Sequence, residues 1–239
     1  MKKVITYLFS LLLIGSLAFL YSFSSVKNST KKINKVEIEF VEGSSFFLTQ
    51  TMVNKLLIVN SRDVQNQPKS TLDLQSLEQA VLSNPYIENA TVFFTIKGVL
   101  KTIVKQRTPV ARININNSSY YVDKQGVEVP LSDNYSARVI LVTGKINKQN
   151  LKEITAFVNV ILEDDFLKKE IIGIHKTQNE EFILSVRSGQ YKIEFGSLEE
   201  MNIKFKKLKA FYNKTFVDKT IDQYKTINLK YHNQVVCAK

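Results

Sequence analysis

The sequence is poor in the residues that carry most enzyme chemistry. One cysteine, Cys237, occurs in 239 residues, so no intrachain disulfide forms and no multi-cysteine metal site exists. Eight glycines leave little material for a phosphate-cradling loop, and neither an H-E-x-x-H nor a G-x-S-x-G pattern occurs. The two histidines, His175 and His232, have no carboxylate in a recognisable motif beside them, and turn or strand-end positions favour solvated roles for both. Cys237, between Val236 and Ala238, reads as a small strand hydrophobe before it reads as a nucleophile. The acidic doublets Asp164-Asp165, Glu180-Glu181 and Glu199-Glu200 fall at helix ends or turns, as solvated or dipole-complementing charge. An enzyme is not expected, nor is any cofactor or small-molecule substrate.

Arginine is scarce as well. Lysine outnumbers it 28 to 5 within a net charge of +11. Positive charge attracts nucleic acid, phospholipid or cell-wall polymer. Base-specific readers rely on arginine forks, however, and the abundance of Asn, Ile, Phe and Tyr beside Lys gives the charge a compositional origin. No nucleic-acid partner is expected.

What the chain does have is an apolar run. Residues 4–23 contain no charge and hold six Leu, two Ile, three Phe and one Val. As a helix they reach about 30 Å, the thickness of a bilayer's hydrocarbon core. Lys2 and Lys3 ahead of the run also describe a secretory signal peptide, with Ser16-Leu17-Ala18 or Ser22-Phe23-Ser24 as cleavage sites. Length, and the aromatic end at Phe19, Tyr21 and Phe23, favour an anchor. Residues 1–3 then stay in the cytoplasm and the remainder is translocated, although Lys27, Lys31, Lys32 and Lys35 beyond the helix oppose the positive-inside rule.

Residues 24–33 read as a polar juxtamembrane linker. From 34 to 107 the pattern predicts a β-α-α-β-β module. Val36, Ile38 and Phe40 alternate in a strand over 35–41, and Glu42 to Ser45 turn the chain. Thr49 caps a helix to about Val59, with Met52, Val53, Leu56 and Leu57 as its apolar stripe. Residues 61–70 form a loop. Asp73 or Thr71 opens a second helix, with Leu74, Leu77, Val81 and Leu82 on one face, and Asn84-Pro85 ends it. Strands over 87–96 and 99–106 follow, joined by a two-residue turn at Lys97-Gly98.

Thr108-Pro109 marks the expected boundary of a mostly β domain, 108–239, with two helices. Strands are expected over 110–115, 120–123, 127–129, 138–142, 170–176, 182–187 and 191–195, with a helix over 148–162. A capping box, Ser197 to Glu200, opens a helix reaching Phe216. Lys204, Lys206, Lys207 and Lys209 on that helix are expected mostly to face water. A hairpin through His232-Asn233 joins 226–231 to 234–238. The fold class is therefore α+β.

Several of these segments resemble the FtsQ/DivIB family of bacterial cell-division proteins. Leu72-Asp-Leu-Gln-Ser-Leu-Glu78 with Asn84-Pro-Tyr-Ile-Glu-Asn-Ala-Thr-Val92 is similar to the second helix and strand of a POTRA domain. Lys105-Gln-Arg-Thr-Pro-Val-Ala111 resembles the family's interdomain junction, and Tyr120-Tyr-Val-Asp-Lys-Gln-Gly126 the hairpin opening its β domain. Asn228-Leu-Lys-Tyr231 is similar to its C-terminal strands, and the Val-Val-Cys-Ala-Lys ending to the Bacteroidetes branch. The resemblance implies a bitopic inner-membrane scaffold with its C-terminal domains in the periplasm at the division septum. It also implies FtsB/FtsL-like partners and strand addition at the end of the β domain. That edge is expected at Gln234, Val235, Val236 and Cys237, with Lys230 and Tyr231 on the adjoining strand. Rival readings are a membrane-tethered basic binder of cell-wall polymer or nucleic acid, and a periplasmic assembly factor.

Overall fold

A computed structural model describes residues 2–41, 43, 46–58, 67–115 and 118–239. The chain divides into two units, Met1–Gln106 and Arg107–Lys239. The turn expected at Glu42, Ser44 and Ser45, the helix end at Val59 and most of the 61–70 loop lie outside the described residues.

The first helix, α1, runs Lys2–Ser29, and its stretch Val4–Ser29 is long and apolar enough to cross a membrane. It continues through most of the segment expected to be a linker. No glycine or proline interrupts 16–29, so each added residue gains a backbone bond at little further ordering cost. Hydroxyls of Ser29 and Thr30 donate to the Val26 carbonyl at 2.8 and 3.0 Å and close the last turn. The chain beyond is stitched down rather than loose. Ile33 N–H donates to the Gln67 carbonyl (3.0 Å), Lys69 N–H to Lys31 (3.1 Å) and Asn34 N–H to Gly98 (3.0 Å).

The rest of this unit is β1 (Lys35–Phe40), α2 (Gln50–Ile58), α3 (Leu74–Leu82), β2 (Ile87–Phe94) and β3 (Val99–Gln106). The sheet order is β1-β3-β2, with β1 parallel and β2 antiparallel to the central β3. Val53 and Leu57 of α2 and Leu77 and Val81 of α3 are buried, and they form the core with Ile87, Leu100 and Val104 of the strands. Met52, expected on the α2 stripe, is instead 37% exposed. Each fully buried Leu or Val side chain contributes about 1.5–3 kcal/mol. Asp73, not Thr71, caps α3, accepting from Gln75 N–H at 3.0 Å and Ser76 N–H at 3.3 Å. The β2–β3 turn uses three residues, not two. Thr95 N–H donates to the Val99 carbonyl, and Gly98 takes φ +84°, the left-handed position that closes a three-residue hairpin loop. At the far end of β3 the buried Gln106 amide brackets Leu48, accepting from its N–H (2.8 Å) and donating to its carbonyl (3.0 Å).

Among its described residues the second unit is one nine-stranded sheet and three α-helices. In chain order come β4 (Pro109–Ile115), β5 (Ser118–Asp123), β6 (Glu128–Val129), β7 (Ile140–Gly144), α4 (Leu151–Glu163), α5 (Asp165–Glu170) and β8 (Ile171–Lys176). There follow β9 (Phe182–Val186), β10 (Lys192–Gly196), α6 (Met201–Val217), β11 (Thr226–Asn228) and β12 (Val236–Ala238). The sheet order is β12-β11-β10-β9-β8-β7-β4-β5-β6. Three pairs are parallel and need long crossovers: β4 with β7, connected through β5 and β6, β7 with β8, connected by α4–α5, and β10 with β11, connected by α6. Phe157 of α4 meets Phe205 of α6 at 6.0 Å and Phe182 and Phe195 of the strands at 5.3 and 5.0 Å, so both helices cover the same face.

Two local expectations change. The short helix α5 is an addition, because Asp164 leaves α4 in an extended conformation and caps α5 through the N–H groups of Phe166 and Leu167. The capping box at Ser197 does not form. Helix α6 starts four residues later at Met201, behind a left-handed Glu200 (φ +54°) whose side chain makes no cap bond.

Candidate functional site

The end of the large sheet holds two of the residues expected to bind a partner, Val236 and Cys237, whereas Gln234 and Val235, expected in the same strand, lie just ahead of it. β12 is its terminal strand, paired antiparallel to β11 as Thr226 with Ala238, Ile227 with Cys237 and Asn228 with Val236. Its other side pairs with no strand among the described residues. Period two divides the segment 234–237. Val235 and Cys237 are half-buried against the domain core, while Gln234 is exposed and Val236 is 41% exposed. Burial pushes the Cys237 thiol up, away from the thiolate a nucleophile requires.

Lys230 and Tyr231 are not on the adjoining strand. β11 ends at Asn228, and both residues sit in the connection 229–235, which is longer than the two-residue turn expected at His232-Asn233. The cause is β10. Leu229, fully buried, donates its N–H to the Glu194 carbonyl (2.9 Å), so the chain follows β10 beyond the last β11–β12 pair. Lys230 is already engaged, 2.7 Å from Glu181 and 3.8 Å from Glu194, and the Glu181 hydrogen bond raises its pKa. Tyr231 is 51% exposed, and its carbonyl accepts from the Lys207 ammonium.

Lys207 is the residue that the sequence pattern misjudged. It reaches from α6 to the Leu229 carbonyl (3.2 Å) and to Tyr231, fastening the connection that leads into β12. Its neighbours on α6 are occupied too. Lys204 is buried, donates to the Ser197 carbonyl at 2.7 Å, and has its pKa lowered by that burial. Lys209 pairs with Asp164, whose carboxyl it holds below the usual range together with two backbone N–H groups. Of these four lysines, Lys206 alone is exposed, Lys207 and Lys209 being half-buried. Helical spacing marks which residues point away from a core, but not which distant carbonyl an outward lysine can reach.

The other residues weighed for chemistry are held in structural contacts. His175 Nδ1 lies 3.0 Å from the Thr143 hydroxyl, and His232 Nδ1 lies 3.0 Å from Glu200. Glu180 meets Lys145 at 2.7 Å and Lys176 at 2.6 Å, and these bonds push it down to about 2. Buried Glu170 accepts from Tyr212 at 3.1 Å and from Ser188, and the two tyrosine hydroxyls, Tyr191 and Tyr212, meet at 2.6 Å. This network closes on itself under α6. Among the described residues no group of three His, Cys, Asp or Glu side chains gathers as a metal site.

The hairpin between β5 and β6 is built on Asp123. Its Oδ1 accepts from the N–H groups of Gln125 and Val127, both at 2.9 Å, and its Oδ2 pairs with Arg107 at 2.6 Å. Gly126, at φ +80°, completes the turn. From just ahead of this hairpin to the terminal strand, residues 108–238 match the family model described as FtsQ/DivIB, C-terminal related. The chain belongs to the FtsQ/DivIB family. A curated relative, the cell division protein DivIB of Clostridium acetobutylicum, is 26% identical over 125 residues, which is 47% of this chain and 50% of that protein. The match thus spans about half the length of the relative. Membership puts the chain among cell-division proteins, a non-enzymatic family, and the apolar N-terminal helix accords with membrane anchoring.

Proposed function

We propose that this chain is a single-pass inner-membrane scaffold of the division machinery. Its two domains, the first POTRA-like, stand in the periplasm at the septum. There it links early and late division proteins and regulates septal wall synthesis by binding FtsB/FtsL-like partners. The observation that carries this reading is β12, a terminal strand whose outer backbone is unpaired among the described residues and whose Val236 is 41% exposed. An added partner strand would complete the missing backbone hydrogen bonds, with exposed side chains beside them supplying selectivity. The inward Val235 and Cys237 fix the strand to the core and set which residues remain outward. The short length of β12 and the terminal Lys239 keep such an edge from pairing with copies of itself.

The test is a titration of the detergent-purified full chain with a peptide of an FtsB-like protein. Val236→Lys is expected to weaken binding at least tenfold, and removal of residues 234–239 to abolish it. Unchanged affinity in both variants would overturn the strand-addition reading. Far-ultraviolet circular dichroism of each variant confirms that the rest of the chain is folded.

A further inference from the structure

We propose that the cleft between the end of α1 and the β2–β3 hairpin binds the headgroup of an anionic phospholipid, with the hairpin tip lying in the membrane surface. This rests on the reading of α1 as the membrane anchor. At about 1.5 Å per residue, a hydrocarbon core of about 30 Å entered at Val4 is left near Phe23. The last turns of α1, 24–29, then cross the headgroup layer. On the helix side the cleft, about 780 Å³, is lined by Tyr21, Ser24 and Asn28; on the domain side it is lined by Lys69, Phe94 and Ile96. The hairpin therefore lies beside the last turns of the helix, Lys69 bridging Thr95 to Asn28, and the cleft below it extends to Tyr21, an interfacial aromatic. The backbone bonds from Ile33 and Asn34 to Gln67 and Gly98 hold it there, with no slack segment between anchor and domain.

Two features of the cleft match such a ligand. Ile96 at the hairpin tip is 93% exposed, an apolar side chain with no packing partner in its own domain. In a bilayer surface it would be covered. Beside it are Lys97, next in the chain, Lys31, whose ammonium donates to the Ile96 carbonyl at 2.9 Å, and Lys69; these, with Lys27 and Lys32 on the segment leading from α1, are in no ion pair among the described residues. Elsewhere in this unit Lys35, Lys101 and Lys105 each have a carboxylate, Glu37, Glu39 and Glu88 respectively. Apart from Lys55 on α2, the lysines of this unit without an ion pair among the described residues 27–106 lie toward the membrane end. Lys69 is also positioned: its ammonium lies 3.2 Å from the Thr95 carbonyl, 3.4 Å from Asn28 Oδ1 and 5.4 Å from the Phe94 ring. A phosphodiester offers oxygen acceptors to these donors, while the acyl chains continue down the apolar face of α1. Each lysine near an anionic surface strengthens attachment about fivefold.

The experiment uses the full chain carrying Cys237→Ser and Ile96→Cys, with an environment-sensitive fluorophore on the new thiol. It is reconstituted in vesicles of phosphatidylcholine alone or mixed with phosphatidylglycerol. Expected are a blue-shifted emission in the mixed vesicles and quenching by headgroup-level nitroxide lipid several-fold stronger than in phosphatidylcholine. Both effects should fall in the Lys31→Gln, Lys32→Gln, Lys97→Gln triple variant. Equal emission in the two lipids overturns the proposal. So does loss of the shift to inorganic phosphate beyond that caused by chloride of matched ionic strength, which would assign the cleft to free phosphate. Flotation of the protein with both kinds of vesicle tests the anchor separately. Protein that floats with neither overturns that underlying reading and the proposal with it.

Discussion

The two units bury charge to different extents: the second buries Lys176 and Lys204, and the first buries no lysine among its described residues. In the second, Lys145, Lys176, Lys209 and Lys230 are spent on carboxylates, and Lys204 and Lys207 on backbone carbonyls. In the first, the five lysines nearest the end of α1 have no carboxylate among the described residues. A net charge of +11 is therefore not one property of the chain. Charge neutralised inside a fold holds elements together, whereas charge left over at one end is free to meet an anionic surface.

The contrast makes the second domain the one that charge substitutions should unfold. The largest effect is expected from Asp123→Ala. It leaves Arg107, 17% exposed, without its partner and removes the acceptor for two turn N–H groups. A loss of about 3–5 kcal/mol is expected in the second domain's denaturant transition, with the first domain's unchanged. A shift of both transitions together would show that the units do not melt separately.

A matched pair sharpens the point. Lys176 is 2% exposed between Glu153 and Glu180, so Lys176→Met should cost about 1–3 kcal/mol. Lys97→Gln, in the hairpin turn of the first domain, should stay within about 0.5 kcal/mol by the same measurement. Equal losses would erase the distinction.

Lys207→Met should cost less than about 1 kcal/mol in stability, since only contacts to carbonyls in the 229–235 connection are lost. Its effect is expected instead in the partner titration. A faster dissociation rate should follow from loosening of the segment that feeds β12.

The smallest effect is set by pH. Glu180 is held at about 2, below its ordinary 4.5, mainly by its bond to Lys145 and then by that to Lys176. A lowered carboxylate stabilises the fold above the unfolded value and loses that contribution as pH falls from about 4.5 toward 2. Glu180→Gln should therefore flatten the acid side of the second domain's stability profile and leave the neutral side nearly parallel. An unchanged acid slope would mean that the two lysines do not hold Glu180 in solution.

Much of the architecture could be read locally. Alternation in 35–40, the Asp73 cap and the Asn84-Pro85 stop each act within a few residues, and the structure has all three. Cys237 was legible as a strand residue for the same reason, whereas Val235, expected in that strand, lies in the connection ahead of β12. Less legible was the function of single side chains on α6, because Lys207 acts on residues 22 and 24 positions away. The displaced start of α6 has the same origin. Lys204 is drawn inward to the Ser197 carbonyl, and the chain turns through a left-handed Glu200 before the helix begins.

The sequence by itself determined an uncharged helix of membrane-crossing length, an α+β chain behind it, and the periodic faces that form two cores. Those are consequences of hydrophobic period and of backbone preference, which depend on near neighbours. Tertiary structure alone decided that the chain beyond α1 is stitched to the first domain, that β12 ends the sheet, and which lysines find carboxylates. Register and ion pairing join residues far apart in the chain, and no local pattern specifies which distant groups will meet.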